Sequence, residues 1–98
     1  MAETPENIPE ASFSSHVYTI GIQALIFLGK QPHPETGEYV RNLDVAKFQI
    51  DTLEILTKKT EGNRTDEESK LLEDLLHAVR LAYIDERKRD EAEGEAKA

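Results

Sequence analysis

From Ala11 through Gly29 the chain carries no Asp, Glu, Lys or Arg, although 33% of its 98 residues are charged. The segment reads ASFSSHVYTIGIQALIFLG, too apolar to be the surface helix of a small acidic monomer. With Ser12, Ser14, Ser15, His16, Thr19 and Gln23 it is also too polar for a membrane span, which needs about 20 predominantly apolar residues. Other protein must cover it.

The rest of the composition narrows the setting. Ninety-eight residues suffice for one domain, in which core-forming side chains are scarce. A net charge of -8 leaves no basic face for phosphates, so nucleic acids and anionic membrane surfaces are not expected partners. The absence of Cys excludes disulfides, thiolate metal sites and a Cys nucleophile. Met1 to Pro9 carries Glu3 and Glu6 where a secretory signal would be basic and then apolar, so a cytoplasmic protein is expected.

Local signals predict an all-α fold of three helices, at about 13–30, 43–60 and 66–86, between polar tails. Residues 1–11, with Pro5 and Pro9, read as a disordered N-terminal tail, 12–85 as a single helical domain, and 86–98 as a charged C-terminal tail. The first helix starts within Ser12 to Ser15, with Ser12 as the cap and Ser14 and Ser15 able to substitute for it, and Gly29 with Pro32 closes it. The stretch VYTIGI, Val17 to Ile22, has the β-branched and aromatic content of a strand, but length and the serine cap favour helix. Gln31 to Tyr39 holds two prolines and a glycine and predicts a stiff, irregular loop. Asn42 caps the second helix, with Asp44 in its first turn, and Gly62 next to Asn63 closes it. Thr65 and Glu68 form the capping box of the third. Beyond Asp85 no apolar stripe continues, which predicts a solvated, fraying end.

Wrapped at about 100° per residue, the three helices have different cross-sections. Leu71, Leu72, Leu75, Leu76, Ala78, Val79, Ala82 and Tyr83 share one arc of the third, which a single layer of neighbours satisfies. On the second, the charges Asp44, Lys47, Asp51, Glu54 and Lys58 occupy a narrow stripe. Leu43, Ala46, Ile50 and Leu53 lie on one side of it and Val45, Phe48, Ile55 and Leu56 on the other. The first helix has one apolar face of Phe13, Val17, Ile20, Ala24 and Leu28, and a second of Tyr18, Ile22, Leu25 and Ile26. Leaving the second face in water forgoes roughly 1.5–3 kcal/mol per large side chain. Two companion helices cannot cover so much, so a homodimeric helical bundle is expected, with Tyr18, Ile22, Leu25, Ile26, Phe48 and Ile55 at its interface. In the alternative the chain is a monomer whose loop from Gln31 to Asn42 folds over the exposed face.

Taken in order, FSSH (13–16), LIFLGK (25–30), PHPETGE (32–38), NLDVAKFQIDTLEIL (42–56), KTEGNRT (59–65) and ESKLLEDLL (68–76) resemble a family of short bacterial proteins known only as a domain of unknown function. The resemblance covers about Phe13 to Tyr83, and its most specific pieces are Leu28-Gly29-Lys30 and the turn from Lys59 to Asn63. Arg64 stands where the family pattern has an apolar residue. The resemblance implies an all-helical, soluble, bacterial protein, and brings no activity, ligand or catalytic residue.

No residue pattern specifies chemistry. Ser14, Ser15 and His16 are sequence neighbours that diverge around a helix, with no acid to orient the imidazole, so capping is their expected role. His33, Glu35 and Glu38 are suitable donor types for a divalent metal, but lack the paired-histidine spacing of a metal helix, and a structural turn is expected instead. Neither a phosphate loop nor a cofactor motif is present. The expectation is a non-enzymatic protein, without metal or cofactor, that acts through protein contact. Two alternatives stand beside it: an acidic adaptor docking a basic partner through Glu67, Glu68, Glu73 and Asp74, and a metal protein or enzyme centred on His33.

Overall fold

A computed structural model describes residues 8–97, which form α1 (Phe13–Phe27), α2 (Leu43–Lys59) and α3 (Asp66–Lys97). Among the described residues there is no strand, and VYTIGI lies wholly within α1. The tail expected over 1–11 lies partly outside the described residues; 8–11 have no regular structure and are exposed.

Each helix begins where a side chain can take up orphan backbone donors. Ser12 and Ser15 form a reciprocal capping box on α1, the Ser15 amide donating to Ser12 Oγ at 3.0 Å and the Ser12 amide to Ser15 Oγ at 3.1 Å. Asn42 Oδ1 accepts from the Val45 amide at 3.2 Å and starts α2. The Glu68 amide donates to Thr65 Oγ1 at 3.1 Å, while the Thr65 amide donates to Glu68 Oε1 at 2.8 Å. After α2, Gly62 takes φ +81°, a conformation that costs a side-chain-bearing residue about 1–2 kcal/mol. Arg64 completes that turn by donating from Nη1 to the Thr57 carbonyl oxygen at 2.6 Å and from Nε to Ser69 Oγ at 3.1 Å. An arginine here thus satisfies a carbonyl at the end of α2 and ties it to the first turn of α3.

The helices run up, down and up. Gln49 Nε2 donates to Gln23 Oε1 across α1 and α2, and Arg80 meets Glu54 at 3.5 Å across α2 and α3. α1 and α3 are parallel: Gly21 lies against Leu75, and Lys30 reaches Asp85 and Glu86. The core between them is Val17, Ile20, Ala24, Ile50, Leu53, Leu72, Leu76 and Val79, with Phe13, Leu25, Leu56, Leu75 and Tyr83 packed around it. At Gly21 a Cβ would stand 2.9 Å from Leu75 Cδ2, so the bare backbone sets how closely α1 approaches α3.

Two expectations are corrected. Ile26 is only 7% exposed within the single chain and Leu25 packs on the core, so both leave the set expected at an interface. The chain folds back tightly at the end of α1, with the Asn42 amide donating to the Phe27 carbonyl at 2.8 Å, so the close of α1 is less open than its helical wheel implies. The third helix also runs beyond the close expected at 86, although 87–94 are exposed as a charged end should be. α3 continues through Lys97, because 87–93 are mostly good helix formers and Glu86 is packed into the domain.

Candidate functional site

The most constructed polar feature of the fold is centred on Glu86, a carboxylate only 1% exposed. Isolated, such a burial is prohibitive, so the surrounding cations decide whether the site exists. Lys30 Nζ donates to Glu86 Oε2 at 2.8 Å, Arg41 Nε to Oε1 at 2.7 Å, and Arg89 Nη1 to Oε2 at 3.0 Å. Arg41 Nη2 also donates to the Glu86 carbonyl oxygen at 3.2 Å and to Asp90 Oδ1 at 2.7 Å, and Lys30 Nζ to Asp85 Oδ2 at 2.9 Å. The hydrogen bond from Lys30 is the chief cause that pushes the Glu86 carboxyl from 4.5 down to about 2; burial opposes it, and Arg41 and Arg89 add to it. Lys30 and Arg41 are both held above their ordinary values, chiefly by their hydrogen bonds to Glu86.

Three acids face three bases here, and every buried side-chain nitrogen or oxygen among the described residues has a partner. The buried carboxylate at the centre of this cluster is fully engaged, its two oxygens accepting from Lys30, Arg41 and Arg89. Its work is to fasten both ends of the α1–α2 loop, at Lys30 and Arg41, to α3. Sequence reading missed Glu86 because it sought apolar residues. The usable signal was register: Leu72, Leu76, Val79, Tyr83, Glu86 and Asp90 follow one another at spacings of three and four, so both acids extend the core stripe.

The loop itself is a closed turn. The His33 amide donates to the Glu38 carbonyl at 2.7 Å and the Gly37 amide to the His33 carbonyl at 2.8 Å, with Gly37 at φ +72°. His33 Nδ1 accepts from the Glu35 amide at 3.2 Å, a further bond within the turn itself. Among the described residues no group of three or more His, Cys, Asp and Glu is placed to hold a metal ion. Of the acids on α3, Glu68 is engaged in its capping box and Asp74 pairs with Lys70 at 3.0 Å, while Glu67 and Glu73 are exposed.

Apolar side chains also remain open. Of the side chains expected at an interface, Phe48 is 67%, Ile55 57% and Tyr18 54% exposed, and Ile22 is half-buried. Phe48 and Ile55 stand two turns apart on α2, about 180° around the helix from Ala46, Ile50 and Leu53, which point into the core. Leu81 and Ile84, which the apolar arc of α3 did not include, are also half exposed. Ile84 borders a shallow groove between α2 and α3, together with Lys47, Ile50, Asp51, Glu54, Arg80 and Tyr83.

The geometry defines a small three-helix domain locked by a buried ion hub and carrying uncovered apolar side chains. Residues 10–85 match the family described as Domain of unknown function (DUF1844), and the chain belongs to that family. The match closes at Asp85, one residue before the hub carboxylate. No curated protein and no solved structure matches the chain. No helix among the described residues is long and apolar enough to cross a membrane.

Proposed function

We propose that the protein is a non-enzymatic, self-associating helical unit of the bacterial cytoplasm, acting by contact with macromolecules rather than by chemistry. The observation that carries this reading is the alignment of Phe48 and Ile55 on the face of α2 that points away from the core. Large apolar side chains aligned on an outward face mark an interaction surface more often than does a single scattered one. The Glu86 hub and the internally bonded His33 turn both serve to hold the fold. The acidic adaptor reading is weaker, because Glu68 and Asp74 are already engaged.

Light scattering on the full chain after size exclusion tests the reading. The expected result is a species of twice 11.1 kDa that dissociates on dilution. A chain monomeric at every concentration up to several hundred micromolar would overturn it.

A further inference from the structure

The outward face of α2 also carries charge, and the charge specifies how a second copy fits. We infer that two copies of this chain associate through α2 packed antiparallel on α2, with Phe48 of each against Ile55 of the other and Asp44 of each facing Lys59 of the other. This rests on the self-association proposed above and specifies its surface and register.

A two-fold axis beside α2 between Asp51 and Thr52 reverses the helix, so that position 48 of one copy stands at the level of position 55 of the other. The same operation sets position 44 of each at the level of position 59 of the other. Asp44 and Lys59 are both exposed, and neither belongs to an ion pair among the described residues. They lie within about 40° of the Phe48–Ile55 line, one near each end of the helix.

Between these ends the charged stripe of each copy borders that of the other, Asp51 standing beside its own mate near the axis with its partner Lys47 2.8 Å away on the same helix, so the opposite-charge pairing that favours this register rests on Asp44 and Lys59. A parallel pairing in register does the reverse, opposing Asp44 to Asp44 and Lys59 to Lys59, which like-charge repulsion disfavours. Antiparallel helices also set the positive end of each macrodipole beside the negative end of the other. Tyr18 and Ile22, on the far side of α1, have no such charge pattern beside them, so nothing there selects a second copy as their occupant.

Charge reversal and complementation test the register in the full chain. Asp44→Lys sets two lysines opposite each other at both ends of the interface, and Lys59→Glu sets two acids opposite each other. Each variant alone is expected to weaken the dimer on the order of tenfold. Mixed in equal amounts, the two are expected to form a heterodimer close to the unmodified affinity, because both contacts are then of opposite sign. A loss of monomer stability from either substitution would not be repaired by mixing, so restoration reports the contact itself. Phe48→Glu, at an exposed position, is expected to abolish the dimer while leaving the helical circular dichroism and the melting temperature of the monomer unchanged. If the unmodified chain dimerises but tolerates Phe48→Glu, or if mixing restores nothing, the register is overturned while self-association stands. An unmodified chain that is monomeric throughout overturns both.

Discussion

Arg41 Nε lies 2.7 Å from Glu86 Oε1, joining the residue that ends the α1–α2 loop to a buried carboxylate on the core side of α3. The two are 45 positions apart, and Lys30, which binds the other oxygen, is 56 away. Because the carboxylate is dry and the cations are not, removing each should have a different cost.

Glu86→Gln retains the shape but surrenders the charge, and is expected to destabilise the fold by about 1.5–3 kcal/mol, the range for hydrogen bonds to a charged group. The figure sits below the roughly 3–5 kcal/mol of breaking a fully buried pair, since Lys30 and Arg41 keep 33% and 39% of their side chains in water. Lys30→Met should cost less, because Arg41 and Arg89 continue to neutralise the carboxylate. Urea denaturation of the three proteins checks the order.

Acid should act through the same carboxylate. Its folded pKa of about 2 lies below the unfolded value of 4.5, so the unfolded chain binds the proton more readily. The stabilisation is therefore complete above pH 4.5 and is lost as the pH falls from 4.5 towards 2. Denaturation midpoints measured across that window should fall steeply for the unmodified chain and less steeply for Glu86→Gln. Parallel curves would show that other carboxylates set the acid response.

Ser12 and Thr65 head the same device on different helices. From sequence, Ser12 looks replaceable by Ser14 or Ser15, but its box with Ser15 is reciprocal. Ser12→Ala and Thr65→Ala should therefore each lower stability by about 0.5–2 kcal/mol. A negligible loss for Ser12→Ala alone would mean that another serine takes over the cap.

Replacing His33, Glu35 and Glu38 together by Ala should leave helical content and association unchanged, because the turn is held by backbone hydrogen bonds and by Gly37 at φ +72°. Zinc or manganese at stoichiometric concentration should not raise the melting temperature, as any ion bound only by the native state would. A metal-dependent rise that disappears in the triple variant would make the loop a site.

Features that depend on a few adjacent residues are written locally in this chain. The caps at Ser12, Asn42 and Thr65, the box partner Glu68 and the turn at Gly62 were legible because each hydrogen bond or φ constraint acts within about four positions. The outward position of Phe48 and Ile55 was legible too, since the apolar residues of α2 fall on two sides of its charges. Tertiary structure decided the rest. Ile26 shares a helical face with Tyr18, yet one is buried and the other exposed, because burial depends on what the chain returns to cover. Glu86 reads as the start of a solvated tail until Lys30 and Arg41 are folded against it, and only their approach allows a carboxylate to occupy the next turn of the core stripe.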